Sequence, residues 1–242
     1  MAKQHILATS GGFVRTDRWN VVQPGNTMRE LLALTGKQRP RLLFVMTASG
    51  DDRSYLTRSY SAFDGWSVDL AHLELFSQPN ADPRHAVLNS DAVWVGGGSV
   101  ANLLALWRLH GLHETFAEAW HAGVVLGGVS AGSICWHAGG PTDSFGPKLE
   151  AVTNGLALLP YGNAVHYDSE EQRRPLMQSL VASGTFATSF ATDDGVGLLY
   201  EGVEPTRVIS DKPDTGAAAY RVELVAGQVV ETPLLPGPVH SP

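Results

Sequence analysis

The chain has 242 residues and a single cysteine, Cys135. An internal disulfide is therefore impossible, and a reducing compartment, the cytoplasm, is the expectation. Long apolar runs are missing too. No segment is long enough to cross a bilayer, and the opening MAKQHILATSGG has no apolar stretch of signal-peptide length, so neither a membrane span nor a leader is expected. Basic residues are scarce, with 17 Lys and Arg against 24 Asp and Glu and a net charge of −7. Without a basic run or stripe, nucleic acid and anionic membranes are not expected as partners. No His, Cys or Asp cluster has metal-ligand spacing. Gly-Lys-Ser/Thr and a full Gly-x-Gly-x-x-Gly are both lacking, so no metal or cofactor is expected. Internal repeats are absent, and the one biased stretch is the Pro-rich end TPLLPGPVHSP, which makes residues 230–242 an expected flexible tail.

What remains is rich in core-forming residues, at 43% hydrophobic. The length suits a single domain over residues 1–242. HILATS (5–10), RLLFVMTAS (41–49), SVDLAHLEL (67–75), DAVWV (91–95) and GVVLG (123–127) read as strands. Between them NTMRELLALTG (26–36), DDRSYLTRSYSAF (51–63), DPRHAVLNS (82–90) and SVANLLALWRLHG (99–111) read as helices. Asp82 followed by Pro83 is a helix start, and Gly36 a helix stop. Strand–helix alternation at this spacing predicts an α/β fold, a mostly parallel sheet with helices on both faces. The last third reads as short strands joined by turns, DDGVGLLYEG (193–202), TRVIS (206–210) and AYRVELVAGQVVET (219–232), which predict an antiparallel edge on the same sheet.

GGVSAGSICW (127–136) leaves the 123–127 strand and turns at once into a helix. Ligands in open parallel sheets bind beyond the carboxyl ends of the strands, which is where Ser130 falls. Gly128-Val129-Ser130-Ala131-Gly132 meets the Gly-x-Ser-x-Gly form of a nucleophile elbow, whose tight turn needs small neighbours. The same pentapeptide also suits an ordinary helix cap packed closely on a sheet. Acyl transfer needs oxyanion donors. The Ala131 N–H is one candidate, and Gly97 and Gly98 of VWVGGGSV are others, although glycines before a helix also cradle phosphates. A serine needs a base. His137, placed about two turns along the helix from Ser130, is about 10 Å away on that reading. His166, in NAVHYDSEEQRR, is expected in a loop at a strand end. Cys135, inside the apolar ICW, reads as a small buried hydrophobe.

VWVGGGSVANLLALWR, GGVSAGSICW and HYDSEEQRR occur in an order that resembles peptidase E, the α-aspartyl dipeptidases, and the wider family of serine peptidases that includes the cyanophycinases. The resemblance runs over most of residues 5–200 and implies a fold like that of the class I glutamine amidotransferases. It implies a peptidase with Ser130 as nucleophile, His166 as base and Asp194 of TDDGVG as the acid, with Asp143 of GPTDSFG a rival and Asp193 and Asp168 weaker ones. The substrate implied is a dipeptide or short peptide, and the molecule a monomer or homodimer. A cyanophycinase-like hydrolase of β-aspartyl-arginine peptides, or a silent binding protein on the same fold, are the alternative readings. The chain departs from the family pattern twice. Ser99-Val100 stands where Asn-Thr is usual, leaving Ser99 as a candidate substrate contact. Glu170 precedes Glu171-Gln172-Arg173 where aspartyl dipeptidases place an Arg that pairs with the substrate carboxylate. Glu170 and Arg173 are thus candidate substrate-binding positions, and aspartyl specificity is not expected. Arg173 and Arg174 otherwise read as exposed helix charges.

Overall fold

The computed structural model describes residues 3–239. In chain order it builds β1 (His5–Thr9), β2 (Phe13–Arg15), β3 (Val22–Pro24), α1 (Asn26–Ala33), β4 (Arg41–Val45), α2 (Arg53–Ser61), β5 (Asp69–Leu73) and α3 (Pro83–Leu88). There follow β6 (Ala92–Val95), α4 (Val100–Leu109), α5 (Leu112–Ala122), β7 (Val125–Val129) and the single turn α6 (Ala131–Ile134). Next come β8 (His137–Thr142), β9 (Glu150–Val152), β10 (Leu159–Ala164), α7 (Arg173–Ala182) and β11 (Thr188–Thr192). The chain ends with β12 (Val196–Glu201), β13 (Glu204–Ser210), β14 (Ala219–Val225), β15 (Gln228–Leu234) and β16 (Gly237–Pro238).

Among the described residues, eight strands form one sheet in the order β16-β13-β12-β1-β7-β6-β4-β5. From β1 to β5 every pairing is parallel. The expected mostly parallel sheet is thus present, and its strands show why they read as continuous apolar runs. In β4, Leu42 and Phe44 join the cluster under α1 and α2, while Leu43 and Val45 join the cluster under α3, α4 and α5. A strand covered on both faces spends apolar residues at both parities. Local caps follow the sequence as well. Asp82 accepts from His85 N–H at 2.6 Å with Pro83 in the first turn. Helix α1 is capped from afar, because Asp211 Oδ1 accepts the Thr27 N–H at 2.8 Å.

The structure corrects the reading of the second half. Strands β12 and β13 do form an antiparallel edge on the first sheet. Residues 219–232 do not, because β14 and β15 belong to a second, six-stranded sheet of order β15-β14-β11-β10-β8-β9. Part of the expected tail is also strand: β15 pairs with β14 along its length and β16 pairs with β13. Residues 240–242 lie outside the described residues. The helix after Ser130 lasts one turn, so His137 starts β8 instead of lying two turns along a helix. The glycines and proline of β8, HAGGPT, hid that strand. The glycines are needed because a Cβ on Gly140 would lie 1.8 Å from Asn163 O and one on Gly139 would lie 1.9 Å from Val152 O.

Candidate active site

Ser130 caps the end of β7 with φ 58° and ψ −114°. A non-glycine residue there costs about 1–3 kcal/mol and persists only where its surroundings over-determine it. They do so here. The Ser130 N–H donates to Thr9 O at 3.0 Å, and its carbonyl accepts from Ser133 N–H at 2.8 Å and Ile134 N–H at 3.0 Å. The small neighbours are required by the packing. A Cβ on Gly132 would sit 2.2 Å from Val95 O, and one on Gly128 would sit 2.4 Å from Gly132 O. Tight packing of the turn on the sheet and presentation of a strained serine therefore go together.

The glycine turn after β6 faces this serine. A Cβ on Gly97 would lie 3.2 Å from Ser130 Cβ and 3.8 Å from its Oγ. Gly98 has φ +136°, and a Cβ there would strike Ala48 O at 2.2 Å. Among the described residues, neither the Gly98 nor the Ala131 N–H donates to a backbone carbonyl. Ser99 Oγ accepts the Asn102 N–H at 3.2 Å and so caps α4.

His166 lies just past β10, also at positive φ, 53°. Its N–H donates to Ser10 Oγ at 3.0 Å. Thr9 and Ser10, adjacent at the end of β1, thus hold the backbones of Ser130 and His166. The imidazole is set by its acid partner: Nδ1 and Asp194 Oδ1 are 2.5 Å apart. Burial pushes the Asp194 carboxyl up, but the His166 hydrogen bond and charge, the Ser169 hydroxyl and Lys212 outweigh it, leaving the carboxyl below its usual range. The Asp194 N–H donates to Asp168 Oδ1 at 2.8 Å. Asp193, buried beside it, accepts from Ala218 N–H at 3.0 Å and Tyr220 O–H at 3.2 Å. Asp143 is exposed and makes no hydrogen bond to His166 among the described residues.

Arg173 is not an exposed helix charge. It is 2% exposed, with Nε donating to Glu170 Oε2 at 2.7 Å and its guanidinium to Pro141 O. Arg174 lies over the Tyr167 and Tyr220 rings, 4.5 and 4.8 Å from their centroids, and donates to Glu231 Oε2 at 2.8 Å. Glu170 sits on the His166 turn, donating its N–H to His166 O at 3.0 Å. Cys135 is fully buried, and burial pushes its thiol up. His137 is fully buried as well, held down to about 4 by loss of solvation. Its Nδ1 is 2.9 Å from Ser133 O and its Nε2 3.3 Å from Tyr200 Oη. Sequence reasoning missed Ser10. The signal was present, as a serine ending a parallel strand just before Gly11-Gly12 at the same sheet edge. Among the described residues, no group of three or more His, Cys, Asp or Glu could hold a metal ion, and no helix is long and apolar enough to cross a membrane.

The sequence model of peptidase family S51 matches residues 6–208. The uncharacterized peptidase YgaJ of Bacillus subtilis is 36% identical over 234 residues, 96% of this chain and 97% of that protein. Peptidase E of Streptomyces coelicolor is 30% identical over 128 residues, 52% of this chain and 51% of the relative. The fold is similar to the crystal structure of a peptidase from an acI-B1 actinobacterium, with a TM-score of 0.71 at 15% identity, covering 97% of this chain and 95% of the other.

Proposed function

Because the chain belongs to peptidase family S51, we propose that it is a serine-type peptidase that cleaves dipeptides or short peptides through an acyl-enzyme. The observation that carries this reading is the 2.5 Å contact between His166 Nδ1 and Asp194 Oδ1. It leaves Nε2 as the nitrogen that serves Ser130. Ser130 Oγ attacks the peptide carbonyl carbon as His166 Nε2 takes its proton. Amides of the Gly97–Gly98 turn and of Ala131 receive the developing oxyanion. The intermediate collapses, the imidazolium gives the proton to the leaving amine, and water releases the acyl group by the same steps. Asp194, held in its charged form, orients the imidazole and stabilises its cation.

Substrate preference follows from the helix after His166. An aspartyl side chain needs a cation to offset its desolvation. Arg173 is committed to Glu170 and Pro141, and Arg174 to Glu231 and two aromatic rings. Glu170, whose backbone N–H donates to the His166 carbonyl, brings a further carboxylate to this helix start and spends it on Arg173. The enzyme is therefore a poor α-aspartyl dipeptidase that accepts neutral or basic side chains at least as well.

One experiment tests both statements: hydrolysis of Asp-Leu, Ala-Leu, Met-Leu and Arg-Leu by the parent and by Ser130→Ala, beside labelling with a fluorophosphonate. The expected result is labelling and hydrolysis in the parent, neither in the variant, and kcat/KM for Asp-Leu about ten- to a hundredfold below the best of the other three, the value of one missing charge-assisted hydrogen bond. Parental activity in Ser130→Ala would overturn the mechanism, and a clear preference for Asp-Leu the specificity.

A further inference from the structure

His166 and Asp194 both lie just past strand ends, after β10 and after β11, where the ladder hydrogen bonds that fix a strand have stopped. Each has a buried neighbour in the chain, Tyr167 after the histidine and Asp193 before the aspartate. One main-chain bond, from Tyr167 N–H to Thr192 O at 3.1 Å, brings the two ends side by side, and side chains of α7, β14 and β15 complete the hold. The Tyr167 hydroxyl donates to Glu231 Oε1. Burial and the Glu231 carboxylate push that phenol up, so it stays a donor. The Tyr220 hydroxyl donates to Asp193 Oδ2 at 3.2 Å. Among the described residues Asp193 Oδ1 is buried without a partner, so Oδ2, which also accepts the Ala218 N–H at 3.0 Å, carries the side-chain hold alone. Arg174 joins the two arms. Its guanidinium carbon lies 4.5 Å from the centroid of the Tyr167 ring and 4.8 Å from that of Tyr220, and Nη1 donates to Glu231 Oε2 at 2.8 Å. A planar guanidinium can stack on aromatic faces while its edge bonds a carboxylate. Gln178, one turn along α7, donates to Glu231 Oε1 at 3.0 Å and keeps that carboxylate in place.

We propose that Arg174 is a positioning residue of this active site: stacked on Tyr167 and Tyr220 and paired with Glu231, it braces the chain at His166 and at Asp194 together and so holds the imidazole in line with Ser130. The two side chains that meet at 2.5 Å are then steadied through their chain neighbours by a single cation. This inference rests on the reading of Ser130, His166 and Asp194 as nucleophile, base and acid.

Arg174→Met removes the cation. With the dipeptide the parent cleaves best, kcat should fall about 10- to 100-fold, the scale of a misplacement of about 1 Å. KM should stay within about twofold, because the brace acts on the reacting groups and not on substrate binding. Fluorophosphonate labelling of Ser130 should slow by a factor similar to the fall in kcat. Arg174→Met combined with Glu231→Met replaces the pair by apolar side chains and leaves no unpaired charge, so the melting temperature should stay near the parent's while kcat stays low. Parental kcat in this pair variant would overturn the proposal, because the loss in Arg174→Met would then come from the stranded carboxylate. In an Asp194→Asn background the brace has no acid left to align. Adding Arg174→Met there should slow labelling less than about twofold further. A full additional loss would overturn the proposal, and so would a raised KM with unchanged kcat in Arg174→Met, which would make the arginine a substrate contact. If the parent itself is not labelled at Ser130, the serine reading falls and this one with it. If the parent is labelled and Arg174→Met reacts equally fast, only the role of Arg174 falls.

Discussion

Ser130 ends β7, a strand with parallel neighbours on both sides, while His166 follows β10, in the second sheet. In the first sheet the parallel strands β1, β7, β6 and β4 keep an unbroken register and are buried at nearly every position, and a register shift falls only at its antiparallel edge, between Leu199 and Tyr200 where β12 meets β13. The second breaks register between Leu159 and Gly162, where its parallel strands β10 and β8 meet. Asp194 lies on the crossing from β11 in the second sheet to β12 in the first. The two sheets thus divide the labour. The first sheet carries the strained turn of Ser130, the proposed nucleophile, and the second brings up His166, the proposed base, whose partner Asp194 lies on the crossing between the two. Precision then depends on the seam. Polar contacts cross it at His137 with Tyr200, and at Ser133 with Asn163, whose Oδ1 accepts from Ser133 Oγ at 2.9 Å while its Nδ2 donates to Phe190 O at 3.2 Å.

The largest effect should come from the base and its acid. His166→Ala and Asp194→Asn should each lower kcat by about 10³–10⁴-fold, the first because the serine then has no base and the second because an imidazole in the wrong tautomer cannot accept the serine proton. Asp143→Asn should stay near the parent, and a greater loss there would move the acid to the end of β8. Next comes acid stability across the seam. His137 is held at about 4 against an ordinary 6.5. Its depressed value means that the folded state binds the proton less readily than the unfolded state. Stability is therefore full above pH 6.5 and is lost as pH falls toward 4, in total about 3 kcal/mol for a fully buried imidazole. Urea unfolding at pH 7.5 and 5.0 should show this fall in the parent and a shallower one in His137→Gln. His5, also held down by burial, sustains the remaining slope in both, so equal slopes would exclude His137. The smallest effect is expected for Asn163→Leu. Leaving the Phe190 carbonyl without its donor and Ser133 without its acceptor should cost about 2 kcal/mol and lower kcat more than it raises KM. Unchanged kcat would show that the sheets hold their register without this link.

The same division explains what could be read in the sequence. RLLFV and AVWV announce buried parallel strands because both faces demand apolar residues. The serine turn is legible because its small residues, Gly128 and Gly132, are gathered in one pentapeptide, although part of what demands them is Val95 O on the neighbouring strand β6. Of the second sheet β14 and β15 could be read as strands, while β8 and β10 were hidden. In HAGGPT neighbouring backbone oxygens, and in LPYGNA the Ser189 and Phe186 side chains, crowd the glycines, and together with a proline in each strand these glycines erase the strand pattern. His166 could be placed at a strand end by its context, but its partnership with Asp194 spans 28 residues and leaves no periodic trace. Arg173 misled for a similar reason. A helix written RRPLMQSLVA gives no sign that its first arginine points inward to the Pro141 carbonyl.

The lone thiol is a built-in clock. Cys135 sits five positions after Ser130 on the segment leaving its turn, with its Sγ 3.4 Å from Gly132 O and no exposure. A reagent such as a maleimide can reach it only when that segment lifts away from the sheet. In an otherwise cysteine-free chain the modification rate therefore reads one event, the opening of the floor beneath Ser130, without any added label. Following that rate as substrate analogues are titrated in would reveal whether occupancy of the cleft tightens the turn, and how often an empty enzyme loses its shape there for a moment.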